Sequence, residues 1–300
     1  YPAVKKVFVS LDGVYHKINL ETLRNPKTGK YVGEELDIRL VANTKDLLKR
    51  DQPKPKSSSK VVSLFGFPDY RMYNAYDTLK VEKQLGKLKE TIKEINTIQE
   101  VLAGKYQPQP FLGEAASEEN VQRLQSPKVL HLATHGFFLE NIQPTRTNGL
   151  QLMGQATQVF VENPLLRSGV YLAGADATLN QKTRPDSTAN GILTSNEVLN
   201  LNLDNTDLVV LSACETGRGK IQNDEGVYGL QRAFLGAGAK NVLMGLWKVD
   251  DQATQYFMRC FYESWTQDED VRKAYRTAQR KLRQEYPSPY YWGAFVLVGQ

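Results

Sequence analysis

The chain has 300 residues, of which 41% are hydrophobic and 24% charged, with a formal net charge of +5; it can bury a substantial core as one large domain or two small ones. The charge is modest and gathers into no single stripe, which argues against direct nucleic-acid binding, and no apolar run nears the roughly 20 residues that span a bilayer, so no membrane partner is expected. Only two cysteines occur, Cys214 and Cys260, which excludes a disulfide framework of the small secreted kind and suits a reducing, cytoplasmic setting.

Residues 1–50 carry short β-like runs at Val4 to Leu11 and Leu36 to Val41, parted by turn signals at Asp12-Gly13 and Asn25-Pro26, and read as a small β-rich N-terminal lobe. Residues 51–60 (DQPKPKSSSK) have almost nothing to bury and read as a linker or disordered loop. From Val61 strands alternate with helices. Val61 to Phe65 is a strand, and Val81, Leu85, Leu88, Ile92, Ile95 and Leu102 recur at steps of mostly three and four, predicting one long amphipathic helix. Apolar runs at Val129 to Ala133, Val170 to Ala173, Leu208 to Leu211 and Asn241 to Leu246 predict strands of a mostly parallel sheet covered on both faces. Three more helices are marked by the stripes Val227 to Ala237, ended by Gly238, then Ala253 to Trp265, then Val271 to Tyr286 with its basic residues on the other side. The stretches 140–168 and 180–190 are polar and read as surface insertions beside the sheet.

Two residues could carry chemistry. DLVVLSAC runs straight into ETGRG, which puts Cys214 just past a strand's carboxyl end, and VLHLA runs into Thr134-His135-Gly136, which gives His135 the same setting. In a parallel sheet those ends share the edge where ligands bind. If the two strands are neighbours, thiol and imidazole converge across 79 positions, 214 minus 135. The imidazole would favour the thiolate and then protonate a leaving amine. The backbone N–H groups of Gly136 and Cys214 are candidates for the oxyanion hole. From the residues alone, packing and catalysis remain open for Cys214. His131 reads as a hydrogen-bonded core histidine and Cys260 as a buried, inert thiol. No zinc spacing, phosphate loop or G-x-S-x-G elbow is present.

The strings LHLATHGFF, RSGVYLAGAD, GILTSNEV, LVVLSACETGRG, EGVYGLQRAFLGAGAKNVLMGLWKVDDQAT and YYWGAFVLVGQ closely resemble the CHAT domain, a caspase-like and separase-related family often attached to tetratricopeptide repeats. The likeness covers nearly all of the chain from about Val61, so residues 61–300 are expected to form the peptidase domain proper. It implies a caspase-like α/β/α sandwich and a cysteine endopeptidase working through a Cys214–His135 dyad, with no third residue required and no metal or organic cofactor. It further implies a specific protein target, a thioester intermediate, and a place in a larger regulated protein of bacterial defence or cell death. A tetratricopeptide-repeat region of the same protein, or an activating partner, could control such a domain. The segment Leu246 to Asp251 is similar to separase's motif after the catalytic cysteine, which makes Asp251 the candidate floor of a pocket for a basic P1 side chain; Asp250, as a possible N-cap, and Asp224 are further candidates. A catalytically silent adaptor domain that binds partners is the alternative.

Overall fold

The computed structural model describes residues 4–49, 57–71, 84–138, 164–180, 189–212 and 225–299. Eleven strands are described: β1 (Lys6–Val9), β2 (Asp37–Leu40), β3 (Val61–Pro68), β4 (Gln107–Gly113), β5 (Val129–Ala133), β6 (Gly136–Phe138), β7 (Ser168–Tyr171), β8 (Ile192–Thr194), β9 (Leu208–Leu211), β10 (Asn241–Gly245) and β11 (Phe295–Gly299). Eight of them form one sheet in the order β1-β2-β11-β10-β9-β5-β3-β4. Within it every pairing is parallel except β10 with β11. The five long helices are α1 (Glu90–Leu102), α2 (Ala175–Leu179, a single short turn named for its role below), α3 (Glu225–Gly236), α4 (Asp251–Asp268) and α5 (Val271–Glu285).

Strand alternation decides which helices cover which face. Val129, Leu208 and Val210 join Ile95, Phe257, Trp265 and Tyr275 in one core, so α1, α4 and α5 cover that face. Leu130, Leu132, Val209 and Leu211 join Leu230 and Phe234 of α3 in the other. The central strands are therefore apolar at every position, as a parallel sheet buried on both faces requires. The result is the α/β sandwich with a mostly parallel sheet expected from the sequence. No helix among the described residues is long and apolar enough to cross a membrane.

The N-terminal residues are built into this frame. Leu40 of β2 pairs with Val298 of β11, and the Asn19 amide donates to the carbonyls of Gly293 and Phe295 at 2.9 and 3.1 Å. Arg272 of α5 reaches back to Glu21 at 2.8 Å and Asp37 at 2.9 Å. Thus several basic residues of α5, expected to face solvent, instead fasten residues 20–40 to the helix. The far edge of the sheet is β4, whose Pro108 and Pro110 lack the N–H groups that a further strand would need.

Three expectations need correction. The helix expected from Val81 begins at Glu90; Val81 is outside the described residues, and Leu85 and Leu88 lie in an irregular segment because their backbone and the Gly86 carbonyl are engaged elsewhere, as described below. The run at Val170 belongs to a separate antiparallel sheet, β6-β7-β8, and not to the parallel one. Its apolar character comes from burial between that small sheet and α3. The stretch 140–168 does not end at the surface, since Ser168 is fully buried; its residues 140–163, and 181–188 of the second stretch, lie outside the described residues. So do 51–56 of the expected linker, whereas Ser57 is buried and its carbonyl accepts from Lys128 at 3.1 Å.

Candidate active site

The two central strands that lead to the candidate dyad are neighbours. β5 and β9 pair in parallel with Val129 opposite Leu208 and Leu132 opposite Leu211, an offset of 79 positions. At the amino end the same offset is locked by charge. The Asp207 N–H donates to the Lys128 carbonyl at 2.9 Å, and the Lys128 ammonium lies 3.2 Å from the Asp207 carboxylate and 3.1 Å from that of Glu269.

At the carboxyl end β5 passes through Thr134 to His135, which is only 5% exposed. Its backbone N–H donates to the Tyr70 hydroxyl at 3.2 Å, and that hydroxyl lies 2.8 Å from Thr134 Oγ1. Thr134 Oγ1 donates in turn to the Tyr171 carbonyl, so its own proton is used and the Tyr70 hydroxyl must be the donor between the two. The Tyr171 N–H closes the set on the His135 carbonyl at 2.8 Å. Tyr70 also stacks on the imidazole, with ring centroids 5.3 Å apart. Phe67 precedes Tyr70 with a left-handed φ of 47° at an irregularity in β3, a costly conformation for a bulky residue that turns the chain toward the histidine.

His135 Nε2 lies 2.7 Å from the Gly86 carbonyl. A carbonyl can only accept, so Nε2 carries the proton and Nδ1 keeps its lone pair in the neutral ring. Burial pushes the imidazole below the ordinary histidine range; the Gly86 carbonyl opposes this, and the charge of Lys248 adds to it. The ring is thus held as a neutral base whose free nitrogen is Nδ1.

His135 lines a cleft of about 90 Å³ together with Thr134, Ser212, Glu94, Lys248 and Asp251. Ser212 is the last described residue after β9, and Cys214 and Asp224 fall outside the described residues. Of the S1 candidates, Asp250 is the N-cap of α4, its carboxylate accepting from the Ala253 N–H at 2.8 Å. Asp251 is exposed at the helix's first position and borders the cleft. Gly136 opens β6, an edge strand of the small sheet among the described residues. Because Tyr171 bonds to His135, the hydrogen-bonding rows of this antiparallel pair fall on alternate residues, and the N–H of Gly136, opposite Val170, points away from β7.

His131 is fully buried, with Nε2 3.0 Å from Glu94 and Nδ1 3.1 Å from the Tyr262 hydroxyl. Cys260 is 3% exposed and burial pushes its thiol up, which leaves it little thiolate. Tyr70 and Gly86 were not foreseen, since neither stands in a motif. Asp176, which turns out to hold the segment carrying Gly86, ends the quoted string RSGVYLAGAD without having been given a role.

The chain is similar to tetratricopeptide repeat protein 28 of Homo sapiens, at 25% identity over 98% of this chain and 12% of that protein, and to its Mus musculus counterpart at 24% identity over the same shares. It therefore spans about an eighth of the length of these relatives. Among solved structures, the Saccharomyces cerevisiae separase-securin complex is similar at 15% identity over 88% of this chain and 14% of that one, with a TM-score of 0.46. A structure described as a protease is similar at 11% identity over 94% of this chain and 58% of that one, with a TM-score of 0.49. The model of the CHAT domain matches residues 1–300, and the chain belongs to the CHAT domain family.

Proposed function

We propose that the chain is a cysteine endopeptidase domain in which Cys214 is the nucleophile and His135 its base. The observation that carries this reading is the strand register. β5 and β9 are paired at an offset of 79 positions, and Cys214 and His135 are separated by the same 79 positions, so the two residues leave adjacent parallel strands at the same level. Nδ1 takes the thiol proton as sulfur attacks the substrate carbonyl carbon. The oxyanion is met by the outward N–H of Gly136 and the N–H of Cys214, each such donor contributing about 3 kcal/mol in comparable sites. The imidazolium then gives its Nδ1 proton to the leaving amine, and water hydrolyses the thioester to return the thiol and release the acid.

For specificity, Asp251 is the better candidate for a basic P1 side chain, because Asp250's carboxylate is engaged in capping α4 while Asp251 faces the cleft beside His135. The target is a protein, and the domain works as part of a longer, regulated chain. A peptide electrophile with arginine at P1 should label wild type at Cys214 and leave Cys214→Ala unlabelled. Labelling that appears only with a partner present indicates a latent enzyme; none under either condition refutes the peptidase reading and leaves the adaptor.

A further inference from the structure

His135 can act as a base only if its ring is held with Nδ1 bare, and that depends on one acceptor, the Gly86 carbonyl. The segment carrying it, residues 84–88, is neither helix nor strand, so its own backbone does not fix that carbonyl in place. What fixes it lies 91 positions away in sequence: the Leu85 N–H donates to Asp176 Oδ1 at 2.9 Å. Asp176 sits at the start of α2 and is fully buried. Its own N–H donates to the Tyr70 carbonyl at 3.0 Å, and the Gly174 N–H to the Asp69 carbonyl at 3.0 Å. Tyr70 is the residue that holds the His135 backbone. One short turn therefore grips both supports of the histidine, the strand end that positions its backbone and the segment that orients its ring.

A carboxylate is an expensive way to tie down a loop. Asp176 Oδ2 is buried with no partner among the described residues, and a buried charge with a single strong hydrogen bond costs free energy that an apolar residue would not. Burial raises its pKa; the Leu85 N–H and the charge of Arg71 oppose that rise, and Asp69 adds to it. Its retention makes sense as placement of the Leu85 amide, not as stabilisation.

We propose that Asp176 is a positioning residue for the dyad: by holding Leu85 it sets the Gly86 carbonyl on His135 Nε2 and so selects the tautomer with Nδ1 free. The role rests on the peptidase reading above, but its test does not. In ¹⁵N spectra of the 300-residue chain at neutral pH, the His135 ring of wild type should show a protonated Nε2 and a bare Nδ1. Asp176→Ala removes the acceptor and should give a mixture of tautomers, with Cys214 alkylation slowed about tenfold to a hundredfold, the scale on which misplacement of a reacting group acts. Asp176→Asn keeps an oxygen acceptor and should restore the wild-type spectrum. Leu85→Pro removes the donor instead, at a half-buried site, and should reproduce Asp176→Ala; it decides the matter should Asp176→Ala fail to fold. Wild-type ring signals in folded Asp176→Ala and Leu85→Pro would overturn the proposal. A ring that follows Asp176 in a chain with no reactive Cys214 would uphold the placement and refute the dyad.

Discussion

Lys128→Met should destabilise the domain through the strand register itself. The Lys128 side chain is 4% exposed and its ammonium meets Asp207 at 3.2 Å, Glu269 at 3.1 Å and the Ser57 carbonyl at 3.1 Å. Removing one partner of a buried pair typically costs about 3–5 kcal/mol. The cost here is lower, because neither carboxylate is left alone: Asp207 keeps Lys240 at 2.6 Å and Glu269 keeps the Tyr106 hydroxyl at 2.8 Å. The Glu269 side chain is also 30% exposed, so water replaces part of what is lost. A loss of about 2–3 kcal/mol at pH 7 is expected on the same scale, read by urea-induced unfolding. The pH dependence gives a second check. Burial alone would raise the Glu269 pKa, but hydrogen bonds from Tyr106 and Lys128 and the Lys128 charge outweigh it and lower the value. A lowered carboxylate contributes stability that is present above its unfolded pKa, about 4.3, and lost as pH falls through the folded value. The gap between wild type and Lys128→Met should therefore narrow below about pH 4. A loss under about 1 kcal/mol at pH 7, the range of exposed pairs, or a gap as wide at pH 3 as at pH 7, would refute this account of the clamp.

Two further outcomes separate capping from recognition and test the buried pair beneath the cleft. Asp250→Ala should cost about 1 kcal/mol as a lost N-cap and leave P1 preference unchanged, whereas Asp251→Ala should leave unfolding unchanged and reduce the preference for arginine over neutral P1 peptides; the reverse pattern would exchange their roles. Glu94→Leu, which takes the carboxylate from fully buried His131, should cost about 3 kcal/mol. Combining it with His131→Phe should recover much of that loss in the same unfolding assay, and a strictly additive double variant would contradict a coupled pair.

What the sequence disclosed and what it concealed follow from range. Val129 to Ala133 and Leu208 to Leu211 were legible because strands buried on both faces are apolar at every position. The stripes of α4 and α5 were legible because a core-facing helix repeats every three or four residues. β4 was hidden by Pro108 and Pro110, which read as breakers and are tolerated only because the strand lies at an edge. The continuation of the α1 pattern back to Leu85 misled, because Leu85 is held by a carboxylate 91 positions away, and no local period reports such a tie. His135 was legible from its place at a strand end. Its tautomer was not, since that depends on Gly86, a residue with no side chain to signal a role.

The central claim is that His135 serves Cys214 as a base, and the rate of Cys214 alkylation against pH tests it most directly. An isolated cysteine, with a pKa near 8.5, reacts slowly at neutral pH, and Cys260, buried and pushed up, supplies an internal control. Burial lowers the His135 pKa, so the ring should stay neutral and able to accept a proton down to below about pH 6.5, the ordinary histidine value. Wild type should alkylate at Cys214 on the order of tenfold or more faster than an ordinary thiol at pH 7, with the acid limb of the profile below pH ~6.5, and His135→Ala should fall to the ordinary rate. Equal rates in wild type and His135→Ala across this range would contradict the account.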